Sequence, residues 1–164
     1  DLADSDGVVV VPAFTGLGSP YWDENARGAI LGLTRGSNRS HIIRATLESI
    51  AQQSADVIDA INEANFTINQ LSVDGGAAAN NWLMQQQANI LNLSVLRSAV
   101  LETTARGVAA LAALESNLID RWPVGAESVD EFLPEWTESD RLMSRDRWHR
   151  AVKATRAYGS LLSN

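Results

Sequence analysis

The chain has 164 residues, 45% apolar and 20% charged, with a net charge of −7 and no cysteine. That composition fits one globular domain with a sizeable core, and it excludes disulfides, thiolate metal centres and cysteine nucleophiles. The acidic balance opposes non-specific nucleic-acid binding, no apolar run reaches membrane-spanning length, and the opening DLADSDG is acidic where a secretory leader is basic, so a cytoplasmic protein with no nucleic-acid or membrane partner is expected.

Val8 to Phe14 is a β-branched run that meets Pro12 and a glycine-rich turn, which predicts a strand buried on both faces. Ala29 to Thr34, between Gly28 and Gly36, predicts a second short strand. Ser40 is a candidate cap for a long helix reaching about Asn62, with Ile43, Leu47, Ile50, Ile58 and Ile61 on its inward stripe. Leu71 to Asp74 reads as a strand, Asn81 to Leu91 as a helix with Leu83, Met84, Ala88 and Leu91 inward, and Val95 to Leu96 as another strand. Thr103 to Leu114 is an alanine-rich helix whose small side chains allow close packing on a sheet. Strand and helix alternate from residue 71 onward, which predicts a parallel sheet with crossover helices. The acidic stretch from Asp120 to Asp140 reads as loop, and Glu138 to Leu162 as a closing helix. Trp122, Trp136 and Trp148 are expected to be core or staple residues of this tail.

Charge is uneven along the chain. Residues 115–140 carry eight acidic side chains and one basic one, whereas residues 141–164 carry one acidic residue, Asp146, and six basic ones. The basic stretch reads as a solvated helix face set against its acidic neighbour, or as a phosphate- or partner-binding helix. Tyr21, Trp22, Asp23, Glu24 and Arg27 form a polar and aromatic cluster, expected to anchor an irregular loop rather than to bind a ligand. No Ser–His–Asp arrangement is readable, and His41 and His149 belong to no set with metal-ligand spacing.

The most informative segment is LSVDGGAAANN, residues 71–81. A strand breaks into Gly75-Gly76, passes three alanines and enters a helix. Glycine lacks the Cβ that keeps a ligand away, and a helix start offers unpaired N–H groups to an anion. A DGG after a strand is, by itself, also the pattern of a tight turn.

At this point a family resemblance becomes visible. Gly28-Ala29-Ile30-Leu31-Gly32-Leu33, seven residues, then His41-Ile42-Ile43-Arg44-Ala45-Thr46-Leu47-Glu48 resembles the second signature of the FGGY carbohydrate kinases. GLGSPYWDENARG, residues 16–28, is similar to the glycerol kinase branch of that family, which sets it apart from the branches acting on xylulose or gluconate. DGGAAANNWLMQQQANIL, residues 74–91, resembles the family's adenine-nucleotide segment, and Glu102-Thr103-Thr104-Ala105 its next helix start. The resemblance is to the C-terminal part of the second domain and extends over the whole chain: a core at 8–116, an acidic loop at 117–137 and a terminal helix at 138–163.

The resemblance implies an α/β fold of the ribonuclease-H-like, actin-like ATPase type, three-layered, with ATP/ADP and Mg2+ as cofactors and glycerol as the small-molecule substrate. It places Gly75, Gly76, Ala77 and Asn80 in the nucleotide wall, with Gly76 at a nucleotide contact and Asn80 beside the adenine. An amide suits a purine edge because it both donates and accepts. It implies no catalytic residue and no metal ligand here, since the family's aspartate base, polyol-binding groups and phosphate-gripping turn have no counterpart among these residues. Asp74 is then an Asx-type cap on the Gly-Gly turn rather than a magnesium ligand. The 164 residues alone are expected to be inactive, and self-association through an uncovered sheet edge, giving a homo-oligomer, is expected. Two alternatives remain: another sugar kinase of the same family, of the xylulose or gluconate class, which would share Gly76 and Asn80, and a non-catalytic binding or regulatory module.

Overall fold

Residues 2, 4–100, 102–122 and 129–162 are described in the computed structural model of the protein. The valine run forms β1, Val9–Val11, with Val8, Val10 and Val11 all buried. β1 pairs antiparallel with β2, Ala29–Leu31. Both strands are shorter than the sequence predicts. β2 stops because Gly32 takes φ +77° and lies so close to Gly7 that a Cβ there would stand 2.1 Å from its carbonyl oxygen. Only glycine tolerates both the torsion and the approach.

Helix α1, Arg39–Glu63, begins one residue before the expected cap. Asn38 caps it: its Oδ1 accepts from the Ser40 amide at 2.9 Å, and His41 Nδ1 accepts from the Asn38 amide at 3.1 Å. This reciprocal arrangement satisfies donors that the helix leaves unpaired. The buried face of α1 is not the isoleucine stripe. Ala45, Ser49, Ala51, Gln52, Ala55 and Asp56 are buried, while Ile43 and Ile50 are exposed and Leu47, Ile58 and Ile61 half-buried. Small residues win this face because α1 is wedged between β1, α2 and a terminal helix, and close approach of backbones needs short side chains.

A second sheet follows. β3, Gln70–Val73, and β4, Ser94–Ser98, are parallel, joined by helix α2, Asn81–Leu91. The third strand, β5, Val129–Phe132, pairs antiparallel on the other side of β4, giving the order β3-β4-β5. The expected loop from Asp120 to Asp140 therefore contains a strand, and the sheet is mixed. Residues 123–128 lie outside the described residues. Leu83, Met84, Ala88 and Ile90 of α2 pack with Ala51 and Ala55 of α1 and Val95 of β4 into one core cluster, against which Phe132 and Trp136 lean.

Helix α3, Thr103–Glu115, does not pack closely as its alanines suggest: only Ala110 is buried, and Val108 and Leu111 are exposed. Trp122 is also exposed, contrary to expectation. The closing helix α4, Glu138–Leu161, is capped by the Thr137 side chain, which accepts from the Asp140 amide at 3.2 Å. Its Trp148, Ala151 and Val152 complete a second cluster with Val11, Ala13 and Leu17. No helix among the described residues is long and apolar enough to cross a membrane.

Candidate functional site

The parallel strands β3 and β4 end on the same side of their sheet, and the segments that follow them meet there. In open α/β sheets this carboxyl edge is where ligands bind. From β3 the chain runs through Asp74, takes φ +82° and ψ 170° at Gly75, and makes one turn of 3-10 helix over Gly76–Ala79. That Gly75 torsion belongs to a region essentially reserved for glycine. Asn80 then caps α2, its Oδ1 accepting from the Leu83 amide at 3.1 Å. Gly76, Ala77, Ala79 and Asn80 are exposed, Gly75 is half-buried, and only Ala78 faces the core. A Cβ built on Gly75 or Gly76 meets nothing within 4 Å. The corner is bare backbone facing open space.

The structure thus brings together Gly75, Gly76, Ala77 and Asn80 on one short surface. The cap commits the Asn80 side-chain oxygen. Asp74 does something other than expected. It accepts from the Thr103 hydroxyl at the start of α3, tying the two carboxyl-edge segments together, and makes no cap on the Gly-Gly turn. Among the described residues no group of His, Asp and Glu side chains is set to hold a metal ion.

Beside the start of α2 lies a shallow cleft of about 350 Å³ lined by Ile43, Arg44, Leu47 and Trp82. The Arg44 guanidinium sits 5.0 Å from the centre of the Trp82 ring and bonds Glu48 at 3.0 Å. On the opposite flank of the corner, Arg97 of β4 reaches Ala78 O at 2.9 Å and Asn81 Oδ1 at 2.7 Å, and pairs with Asp130 of β5 at 2.6 Å. Neither Arg97 nor Asp130 stands out in the sequence. A lone arginine in a short strand and an aspartate in an acidic stretch carry no signal until β4 and β5 are paired.

A second cleft, of about 540 Å³, lies between the 20–21 turn, α1 and α4. Its floor is an ion-pair network. Asp56 is buried and accepts from Tyr21 Oη at 2.9 Å, Trp148 Nε1 at 2.7 Å and Arg145 at 2.7 Å. Arg145, also buried, donates in addition to the Gln52 carbonyl and side chain and to Asp59. Burial and the neighbouring Asp56 carboxylate push the Tyr21 hydroxyl well above the usual tyrosine range. Two cations of helix α4 are thus paired from outside it, Arg145 by α1 and Arg156 by the 19–25 loop, where it bonds Asp23 at 2.7 Å, while Arg150 pairs with Asp146 of its own helix. The Arg156 hydrogen bond, helped by the Asn25 and Ala26 amides, holds Asp23 below the usual carboxylate range. This cluster anchors an irregular loop, as expected; Arg27 adds bonds to the Glu24 and Ala26 carbonyls.

The sequence model of the FGGY family of carbohydrate kinases, C-terminal domain, matches residues 2–116. The glycerol kinase of Fusobacterium nucleatum subsp. nucleatum is 52% identical over 165 residues, a stretch covering 96% of this chain and 32% of that protein. The glycerol kinase of Janthinobacterium sp. is 49% identical over 97% of this chain and 33% of its own length. The crystal structure of Plasmodium falciparum glycerol kinase with ADP superposes with a TM-score of 0.76 at 32% identity, over 94% of this chain and 32% of that one. Gluconate kinase from Lactobacillus acidophilus has the same TM-score, 0.76, at 22% identity, over 96% of this chain and 33% of that one. The chain spans about a third of the length of the curated relatives it matches.

Proposed function

This chain belongs to the FGGY family of carbohydrate kinases, matching its C-terminal domain, and from that membership we propose that it forms the adenine-nucleotide wall of an ATP-dependent glycerol kinase. The reaction is transfer of the terminal phosphoryl group of ATP to a terminal hydroxyl of glycerol, giving glycerol 3-phosphate and ADP. Such a transfer depends on in-line placement and charge neutralisation more than on covalent chemistry by the protein. What these residues contribute is placement. Gly75, Gly76 and Ala77 let backbone approach the nucleotide, and the Asn80 amide nitrogen donates to the purine edge. Mg2+ enters bound to the ATP phosphates.

The observation that carries this reading is the open corner at the carboxyl edge of β3 and β4, bare of side chains at Gly75 and Gly76 and carrying only a methyl at Ala77. Identity near 50% to glycerol kinases supports glycerol as the acceptor, whereas gluconate kinase at 22% supports the fold alone. The reading also includes self-association, because β3 and β5 each end their sheet with an edge unpaired among the described residues.

A coupled assay on the protein at its full natural length, with Mg-ATP and glycerol, xylulose or gluconate in turn, tests the substrate. Glycerol is expected to give the highest kcat/KM; turnover of either sugar substrate without turnover of glycerol refutes the assignment. The 164 residues alone are expected to turn over nothing, because the reading assigns them one wall of the cleft and no general base. Light scattering that shows a clean monomer at high concentration removes the self-association.

A further inference from the structure

The nucleotide corner is held only weakly by its own hydrogen bonds. Its single 3-10 turn is held by the Gly75 carbonyl accepting from Ala78 N at 3.0 Å and the Ala77 carbonyl accepting from Asn80 N at 3.1 Å. One turn of 3-10 helix is weakly cooperative, and the flanking glycines favour many conformations. The carbonyl of Ala78, in the one buried residue of the turn, takes its hydrogen bond from outside, from Arg97 Nη1 at 2.9 Å. The same nitrogen donates to Asn81 Oδ1 at 2.7 Å, so Arg97 grips both the turn and the first residue of α2.

Arg97 is itself held. Its Nε and Nη2 both reach Asp130 Oδ2, at 3.2 and 2.6 Å, and its guanidinium lies 5.2 Å from the centre of the Phe132 ring. The strand register explains the arrangement. Arg97 stands opposite Val73, the last residue of β3 before the corner, and opposite Asp130 on the other side. The Arg97 side chain is 14% exposed and the Asp130 side chain 66% exposed, so solvent screens the ion pair and the shielded bonds to Ala78 and Asn81 hold more of the arrangement. One guanidinium thus joins β5, β4, the 3-10 turn and α2 across the width of the sheet.

We propose that Arg97 is a positioning residue for the nucleotide, fixing the Gly76–Asn81 backbone, and that Asp130 sets its aim. The inference rests on the reading of this corner as the nucleotide wall. A lysine keeps the charge but, as a compact point donor, cannot bond Ala78, Asn81 and Asp130 in the planar fork that arginine provides. An asparagine at 130 keeps an acceptor and loses the charge.

The test uses the protein at its full natural length, with ADP as the probe in titration calorimetry and hydrogen exchange read by segment. Arg97→Lys is expected to weaken ADP binding about 10-fold and Asp130→Asn about 3-fold, as expected for losing charge-assisted hydrogen bonds from a binding surface. KM for ATP rises with them while KM for glycerol stays, and amides of residues 76–83 exchange faster while those of 45–56 in α1 do not. Unchanged ADP affinity in both variants overturns the inference, as does a rise in both KM values with faster exchange throughout α1, which marks a merely structural role. Absence of ADP binding by the unsubstituted protein overturns the nucleotide reading as well, so the two failures are told apart.

Discussion

The Asp56–Arg145 pair gives the sharpest test of what holds this chain together. Arg145→Ala removes the one guanidinium that, among the described residues, bonds a carboxylate whose side chain is 2% exposed. Asp56 keeps two neutral donors, Tyr21 Oη and Trp148 Nε1, and His149 Nε2 at 3.3 Å, but its charge is no longer matched by a buried cation. Removing one partner of a buried ion pair typically costs about 3–5 kcal/mol, because the other charge is left without compensation. The Gln52 side-chain oxygen loses its Arg145 donor as well, which places the expectation at the upper part of that range. At about 2–4 °C per kcal/mol for a chain of this size, the melting temperature falls by roughly 10 °C or more. Thermal and urea unfolding of the 164 residues measure this. The double variant Arg145→Met with Asp56→Asn, which removes both charges, is expected to recover much of the loss. A single variant that melts within about 2 °C of the parent, a shift worth less than 1 kcal/mol, refutes the claim that this pair anchors α4 to α1.

Two glycines of the corner separate stability from binding. Gly76→Ala meets open space and no forbidden torsion, so unfolding should change by less than about 0.5 kcal/mol while ADP affinity drops; an unchanged affinity refutes the close approach. Gly75→Ala, at φ +82°, is expected to cost about 1–3 kcal/mol by urea unfolding, and a neutral result refutes the torsion. Gly159→Ala drives a Cβ to 2.3 Å from the Asn25 carbonyl oxygen, so the α4–loop contact must open and the melting temperature must fall. The Tyr21 hydroxyl, raised in the folded state, contributes stability that is complete below pH 10 and lost as pH climbs through its folded value; Tyr21→Phe should flatten that alkaline slope in urea unfolding. Asp23, lowered in the folded state, contributes stability present above its ordinary value and lost as pH falls through the folded one; Asp23→Asn should weaken the acid dependence of unfolding.

Local chemistry made parts of the fold readable. The helix Asn81–Leu91 was legible to the residue, because Asn80 caps it and Asn92, at φ +54°, ends it. β3 was legible within a residue of each end, and the Gly-Gly corner was legible as a break that no other residue pair performs so readily. Other parts were not. β5 hid in an acidic stretch because Asp130 and Glu131 are exposed strand residues, and strand formation there comes from pairing with β4 rather than from its own composition. The isoleucine stripe of α1 misled because apolarity does not say which face a neighbour takes, and the neighbours here approach closely enough to need alanine and serine.

What the sequence determined alone is the set of short-range decisions: where helices start and stop, where glycine must stand, and which family's pattern the chain carries. The tertiary structure decided the partnerships across distance. Arg145 meets Asp56 from 89 positions away, and Arg97 meets Asp130 from 33, both at hydrogen-bonding distance. Charges so far apart in sequence acquire a partner only when the fold sets their elements side by side, and no local pattern encodes which two will be brought together.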